Sequence, residues 1–111
     1  NALEHLKTLK ARELCEAFFK AVDTNNDGKI GQWDAMMCHS VFNTDPVEGL
    51  RIWKGMVPHG VDPVGALVSL NEYVGYWMRE LESEIGTNDH FHPHFARSLQ
   101  VRLAQLNAKI A

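Results

Sequence analysis

The chain has 111 residues, of which 45% are hydrophobic and 23% are charged, and its formal net charge is -3. This length and apolar content predict a single small core. The mild acidity and the absence of a basic cluster argue against nucleic-acid binding, and no apolar run is long enough to predict a membrane span. Because no secretory signal is visible either, a cytoplasmic location is expected.

The first predicted helix ends immediately before residue 23. Its apolar residues recur at helical spacing and form one continuous face. These residues are Leu14, Cys15, Phe18, Phe19 and Val22. Because Cys15 belongs to this face, and cysteines in a reducing compartment usually stay reduced, packed thiols are favoured over a Cys15–Cys38 disulfide.

Residues 23–34, DTNNDGKIGQWD, follow this helix and have the residue order of a calcium-binding EF-hand loop. In such a loop the side chains at positions 1, 3, 5 and 12 and the backbone carbonyl at position 7 bind the ion. Those positions hold Asp23, Asn25, Asp27, Asp34 and Lys29, respectively. Gly28 stands at position 6, where the chain must turn sharply. The sequence therefore predicts one site for a divalent cation, with a metal-free polar turn as the alternative.

Asp34 departs from the usual pattern, because position 12 normally holds Glu. Glu gives both carboxylate oxygens to Ca²⁺, whereas Asp is one methylene shorter and reaches less easily with both. Gly31 at position 9 has no side chain, so a ligand there would be water. These features predict weakened Ca²⁺ binding and leave Mg²⁺ open as an alternative ion.

Three further helices are predicted between this loop and residue 86. A short apolar stripe at Met37, Cys38, Val41 and Phe42 marks the first of them. Pro46 fits the first turn of the next, with Thr44 or Asp45 as its N-cap. The apolar faces of the last two are marked by Val47, Leu50, Trp53 and Val57 and by Tyr73, Tyr76, Trp77 and Leu81.

A second loop lies between these last two helices and is degenerate. If Glu72 occupies its position 12, Val68 occupies position 8 and lies opposite Ile30 in a short strand pairing. The same register leaves positions 1, 3 and 5 without side-chain ligands, since they hold Val61, Pro63 and Gly65. The sequence thus predicts a structural hand that holds no metal, with a carbonyl-based site as the alternative.

Residues 87–111 are predicted to form a histidine-rich linker and a C-terminal amphipathic helix. In an extended strand, His90, His92 and His94 would point to one side and could bind Zn²⁺ or Cu²⁺. A solvated linker is the simpler interpretation, because this spacing alone is a weak signal. The apolar stripe of the helix consists of Phe95, Leu99, Leu103, Leu106 and Ile110.

Two parts of the chain resemble the first and second hands of invertebrate sarcoplasmic calcium-binding proteins and calexcitins. These are residues 18–34, and residues 50–55 together with 72–77. Asp at the twelfth position of the first loop is familiar in that family, and the second loop is often irregular. The resemblance covers about residues 8–85 and implies an all-α fold, with paired EF-hands over residues 1–86. It also implies a soluble Ca²⁺/Mg²⁺ buffer or sensor.

Proteins of that family usually carry four hands, whereas this chain has room for two. Two interpretations stay open. The chain is either the amino-terminal half of a four-hand protein, with the last helix entering a missing third hand, or a complete two-hand protein whose last helix covers its own core or that of a neighbour.

The sequence predicts a binding protein rather than an enzyme. No Ser/His/Asp order, Gly-rich phosphate loop or pair of carboxylates indicates catalysis. The leading prediction is an intracellular calcium buffer or signalling sensor. Alternatives are a calcium-dependent module that binds a target helix, the small-ligand-binding half of a larger protein, and a homo-oligomer formed through the last helix. The target-binding alternative is suggested by the flexible methionines Met36, Met37, Met56 and Met78.

Overall fold

The computed structural model describes residues 10–42 and 45–110. This part of the chain is mostly helical, with one small antiparallel sheet, in agreement with the all-α prediction. Its helices are α1 (Ala11–Val22), α2 (Gln32–His39), α3 (Pro46–Met56), α4 (Leu70–Glu80) and α5 (Pro93–Ile110). Its strands are β1 (Lys29–Ile30) and β2 (Val68–Ser69), and two short 3-10 turns, Glu82–Glu84 and Thr87–Asp89, connect α4 to α5. Within these described ranges, no helix combines the length and apolar character that crossing a membrane requires.

Side-chain caps set the start of α3 and α4. Before α3, the backbone N–H of Val47 donates to Asp45 Oδ1 at 3.0 Å, and proline follows at the first helical position. The predicted cap at Asp45 is therefore confirmed, while Thr44 lies outside the described residues. Before α4, Ser69 and Glu72 form a reciprocal capping box with N···O distances of 3.0 and 3.2 Å.

The sheet joins the two loops of the chain. Ile30 pairs with Val68 and Lys29 with Ser69 in antiparallel register, so the predicted pairing of Ile30 with Val68 is confirmed. Both apolar side chains are fully buried. A two-residue ladder has few hydrogen bonds, so burial of these side chains supplies most of its stability.

One apolar core lies between the helices. Helix α1 packs against α4 and α5, and α2 packs against α3. The largest fully buried side chains are Trp53, Phe19, Ile30, Leu106, Val68 and Val74. The predicted apolar face of α1 is buried throughout. On α5, Leu99, Leu103 and Leu106 join the same core while Phe95 and Ile110 are half-buried against it. The last helix therefore shares its core with the two loops.

Of the apolar residues predicted to mark α3, Trp53 and Val57 are buried as expected, whereas Leu50 is half-buried and Val47 is exposed. Val47 is 73% exposed, and the buried residues within α3 are Gly49, Trp53 and Met56. A Cβ at Gly49 would lie 2.9 Å from Met36 Sδ and 3.0 Å from His39 Cδ2. Glycine thus permits the close approach of α3 to α2, and apolar spacing alone does not reveal such a contact.

Both cysteines are free and buried, which confirms the packed-thiol prediction. Cys38 Sγ lies 3.1 Å from the hydroxyl oxygen of Tyr73. Burial raises the pKa of Cys15 to about 12 and the pKa of Cys38 to about 11. Since the thiolate is the reactive form, these side chains act as packing groups at neutral pH.

Candidate metal centre

The predicted metal loop connects α1 to α2 and contains two left-handed residues. Asn26 has a φ of 59° and Gly28 a φ of 79°. Glycine adopts this conformation without steric cost, and Asn tolerates it better than most other residues. The two residues turn the chain back towards Asp23, the residue that directly follows α1.

Asp23 is the residue around which this loop folds. It is only 6% exposed. Its Oδ2 accepts a hydrogen bond from the backbone N–H of Gly28 at 2.9 Å, and its Oδ1 accepts one from that of Asp27 at 3.3 Å. No ion pair among the described residues involves Asp23. Because buried charges in proteins are usually paired or bound to metals, this carboxylate fits the role of a cation ligand.

Asn25 and Asp27 lie beside Asp23 at the front of the loop. Asn25 Nδ2 donates to Asp27 Oδ2, and the backbone N–H of Asp27 donates to Asn25 Oδ1, both at 3.4 Å. The backbone N–H of Lys29 donates to Asp27 Oδ1 at 3.0 Å and is the main cause of a lowered pKa for the Asp27 carboxyl. Desolvation opposes this effect, and hydrogen bonds with Asp23 and Asn25 lower the pKa of Asp27 further. Asp27 is therefore ionised at neutral pH.

Asp34 lies in the first turn of α2, at the other end of the loop. Its Oδ2 accepts from the backbone N–H of Gly31 at 3.2 Å, as a side chain at the third position of a helix commonly does. Lys29, whose carbonyl is the fifth predicted donor, belongs to β1. The structure thus brings Asp23, Asn25 and Asp27 together and holds Asp34 against Gly31.

The predicted donors are all oxygen atoms, a set that suits a hard ion such as Ca²⁺ or Mg²⁺. They comprise three carboxylates, one amide and one backbone carbonyl. Across the described residues, no three His, Cys, Asp or Glu side chains converge into a metal-binding group. A site in this loop would therefore need the Asn25 amide and the Lys29 carbonyl in addition to its acids.

The second loop satisfies its own polar groups locally. Asp62 Oδ1 accepts from the backbone N–H of Val64 at 3.0 Å, and the carbonyl oxygen of Pro63 accepts from Trp53 Nε1 at 2.8 Å. The carboxylate of Glu72 caps α4, as described above. Both acids of the loop therefore accept hydrogen bonds from nearby backbone N–H groups, and positions 1, 3 and 5 offer no side-chain oxygen.

The three histidines of the linker do not share one extended strand. An isolated bridge joins Phe91 to Ile85, but α5 begins at Pro93 and places His94 in a helix. They also form no metal-binding group among the described residues. The arrangement that would have pointed all three to one side is therefore not present, and the linker interpretation describes them better.

One polar residue of interest was missed by sequence analysis. His39 is buried at the end of α2, and neither of its ring nitrogens has a hydrogen-bond partner among the described residues. It follows Ala35 by four residues, on the buried face of the same helix. Helical spacing from Ala35 would have placed His39 on that face, although it could not have shown that the ring lacks partners.

Comparison with known proteins adds no relative. No family model, curated protein or solved structure matches this chain. The functional argument therefore depends on the geometry of the loop and on the chemistry of its residues.

Proposed function

We propose that this chain is a non-enzymatic calcium-binding protein that holds one Ca²⁺ or Mg²⁺ ion in an EF-hand formed by residues 23–34. The ligands would be the side chains of Asp23, Asn25, Asp27 and Asp34 and the carbonyl oxygen of Lys29. We further propose that it acts in the cytoplasm as a buffer or sensor of that ion. The observation that carries the proposal is the buried carboxylate of Asp23, which has no ion-pair partner among the described residues.

Electrostatics supports a cation at this position. Two backbone N–H groups partly offset the cost of burying the Asp23 carboxylate. Asp27 adds a second negative charge beside it, and two carboxylates this close repel each other. A bound dication would remove that repulsion and would replace water around both groups. Ion binding is therefore expected to stabilise the folded loop.

The second loop fits the role of a structural partner. Its strand pairs Val68 with Ile30, and its acids serve as local caps. A single helix–loop–helix would leave its apolar face exposed, so the second loop and its helices would cover that face. In this proposal the chain contains a pair of EF-hands, of which the first binds the ion.

Titration calorimetry tests the proposal. Ca²⁺ is titrated into decalcified protein in the presence and in the absence of Mg²⁺. We expect one site per chain, and competition when both ions are present. Asp23→Ala should abolish binding. Asp62→Ala is the matched control, because it removes an acid from the second loop and should leave the stoichiometry unchanged.

A loss of binding in Asp23→Ala needs to be separated from a loss of folding, because that variant also removes two acceptors of backbone hydrogen bonds. Asp27→Asn is the milder variant, since it keeps the shape of an exposed side chain and removes its charge. Circular dichroism would confirm that both variants keep their helices. If the folded wild-type protein binds neither ion at millimolar concentration, the proposal is wrong. If calorimetry instead shows two equal sites per chain, the prediction that the second loop holds no metal is wrong.

A second candidate function, calcium-dependent binding of a target protein, is favoured by the exposure of Trp33. This residue, at position 11 of the loop, is 77% exposed. It lines a cavity of about 390 Å³ together with Met37 and Ile110. Sensors expose apolar surface on binding Ca²⁺ whereas buffers barely open, so a hydrophobic dye that fluoresces with Ca²⁺ but not with chelator would favour this candidate.

A further inference from the structure

Helix α5 holds the three residues that directly follow α2. Lys109 Nζ donates a hydrogen bond to Ser40 Oγ at 2.9 Å. The guanidinium of Arg102 donates to the carbonyl oxygen of Val41 and lies 5.7 Å from the ring centroid of Phe42. All three residues after α2 therefore contact a cationic side chain of α5. We call this set of contacts the clamp.

The clamp is anchored on α1. Helix α5 packs against α1, and its residues Leu103 and Leu106 are buried in the core. Phe42 also packs against Phe18 of α1, with ring centroids 5.5 Å apart. A cation over an aromatic ring and a donor to a carbonyl near a helix C-terminus are both favourable contacts. The end of α2 is thus held by α1 and α5 together.

The opposite end of α2 carries Asp34, the last predicted ligand of the first loop. The helix has eight residues, so it is about 12 Å long. Its first turn holds the Asp34 carboxylate against the backbone N–H of Gly31. In the part of the chain that the structure describes, Asp34 does not converge with Asp23 and Asp27 into a metal-binding group. Because a short helix moves as a rigid element, contacts at its end also restrain Asp34.

The short side chain of Asp34 makes the position of α2 decisive for ion binding. Asp lacks the additional methylene with which Glu reaches the ion at position 12. To join Asp23 and Asp27 around a cation, its carboxylate needs a shift of the start of α2. Such a shift pulls the other end of the helix against the clamp.

We propose that Arg102 and Lys109 are positioning residues of the first loop, which hold α2 where Asp34 stays against Gly31 and thereby lower the affinity of the loop for its cation. This inference rests on the proposed function. Coupling between two sites is reciprocal, so cation binding should in turn loosen the clamp.

Titration calorimetry with Ca²⁺ on the full chain compares Arg102→Met with the wild type. Met keeps an apolar stem and removes the donors of the guanidinium. We expect Arg102→Met to bind Ca²⁺ about three- to tenfold more tightly, which corresponds to the loss of one hydrogen bond that opposes binding. Lys109→Met should act in the same direction with a smaller factor, because Lys109 is exposed.

The loss of a positive charge by itself favours cation binding, so the charge needs its own control. Arg97→Met removes an exposed arginine from the same helix. It should raise the Ca²⁺ affinity by a smaller factor than Arg102→Met does. Arg102→Lys keeps the charge and a donor for the Val41 carbonyl, and should return the affinity towards that of the wild type.

A double-mutant cycle with Asp34→Glu gives a readout that simple destabilisation would not change. Glu reaches the ion with less movement of α2, so Arg102→Met should raise the Ca²⁺ affinity less in the Asp34→Glu background than in the wild type. Additive effects of the two substitutions would show that Arg102 does not act through Asp34 and would overturn the proposal.

NMR on the ¹⁵N-labelled chain in chelator tests the clamp without any ion. The backbone N–H of Gly31 donates to Asp34, so its signal reports on the far end of α2. We expect Arg102→Met to shift this signal and Arg97→Met to leave it unchanged. An unshifted Gly31 signal, or a Ca²⁺ affinity of Arg102→Met no higher than that of Arg97→Met, would overturn the proposal. If the wild type binds no ion, the proposed function fails and so does the effect on affinity, while the Gly31 signal still shows whether the clamp restrains α2.

Discussion

The two loops of this protein occupy equivalent places between helices but use their acids differently. In the first loop, two backbone N–H groups point to the buried carboxylate of Asp23. In the second loop, Asp62 accepts from Val64 and the carboxylate of Glu72 accepts from Ser69, so each acid serves the local chain. At position 12 the loops are alike, since Asp34 accepts from Gly31 as Glu72 accepts from Ser69. The loops differ at positions 1, 3 and 5, which offer side-chain oxygens only in the first loop.

Because β1 pairs with β2, both loops are anchored in the same part of the core. Ile30 and Val68 are each fully buried there. The two loops should therefore share their packing in the core but differ in their response to ions.

Replacing the apolar residue that joins the loops should have the largest effect on stability. Ile30→Ala is expected to lower the free energy of unfolding by about 2–5 kcal/mol in chelator, because it leaves a cavity at a fully buried position. Urea denaturation followed by circular dichroism measures this change. Val64→Ala, at an exposed position of the second loop, is the control and should change stability by less than about 0.5 kcal/mol. Equal changes in the free energy of unfolding for the two variants would contradict the anchoring of both loops through Ile30 and Val68.

Removing the ion should destabilise the wild-type protein but not a variant that lacks the site. At a free Ca²⁺ concentration of about 100 times Kd, linkage predicts about 2.7 kcal/mol of added stability, which chelator would remove. Thermal unfolding with and without Ca²⁺ measures this difference in wild type and in Asp27→Asn. An equal shift in both proteins would place the bound ion outside the first loop.

Lengthening the acid at position 12 should change ion preference. Asp34→Glu is expected to raise the Ca²⁺/Mg²⁺ affinity ratio by about tenfold, because Glu more easily gives both oxygens to the larger ion. Competition calorimetry measures the ratio. Glu72→Asp is the matched control at the equivalent position of the second loop. It should leave ion binding unchanged and cost only about 0.3–1.5 kcal/mol through its weakened cap. An unchanged ratio in Asp34→Glu would argue against Asp34 as a ligand.

The helices that leave the two loops should also differ in pH response. Helix α2 ends in buried His39, whose pKa is lowered from its ordinary value of 6.5, mainly by burial. The unfolded chain then binds the proton more readily than the folded one, so the free energy of unfolding should fall as pH drops below about 6.5. Glu48 and Asp45 oppose this effect, and Arg51 adds to it. Chemical denaturation from about pH 7.5 to about pH 5.5 measures the decline. His39→Leu should show a smaller decline, and an identical one would exclude His39 as its source.

Much of the fold could be predicted from local patterns. The apolar face of α1, the start of α3 at Asp45 and the amphipathic character of α5 follow from helical spacing and capping chemistry. The pairing of Ile30 with Val68 follows from aligning the two loops on their twelfth positions. The burial of Trp53 also follows from spacing, but the burial of Gly49 does not, since it depends on the contact of α3 with Met36 and His39 of α2.

The candidate site was predictable as a set of residues but not as an arrangement. Loop spacing identified Asp23, Asn25 and Asp27, and the structure places them together. Spacing did not show that Asp34 is held by Gly31, or that the Asp62 carboxylate is used by its own turn. Each of these contacts depends on the backbone path of a loop, which residue order constrains only in part.

By itself, the sequence determined the helical segments, the left-handed turn at Gly28 and the oxygen donors offered by the first loop, because these depend on neighbours within a few residues. Only the tertiary structure decided that Asp23 is buried without an ion-pair partner among the described residues. The tertiary structure also decided that His39 lines an aromatic cavity with both ring nitrogens unpaired in that part of the chain. The physical reason is that burial and unsatisfied hydrogen bonds arise where residues distant in sequence pack together.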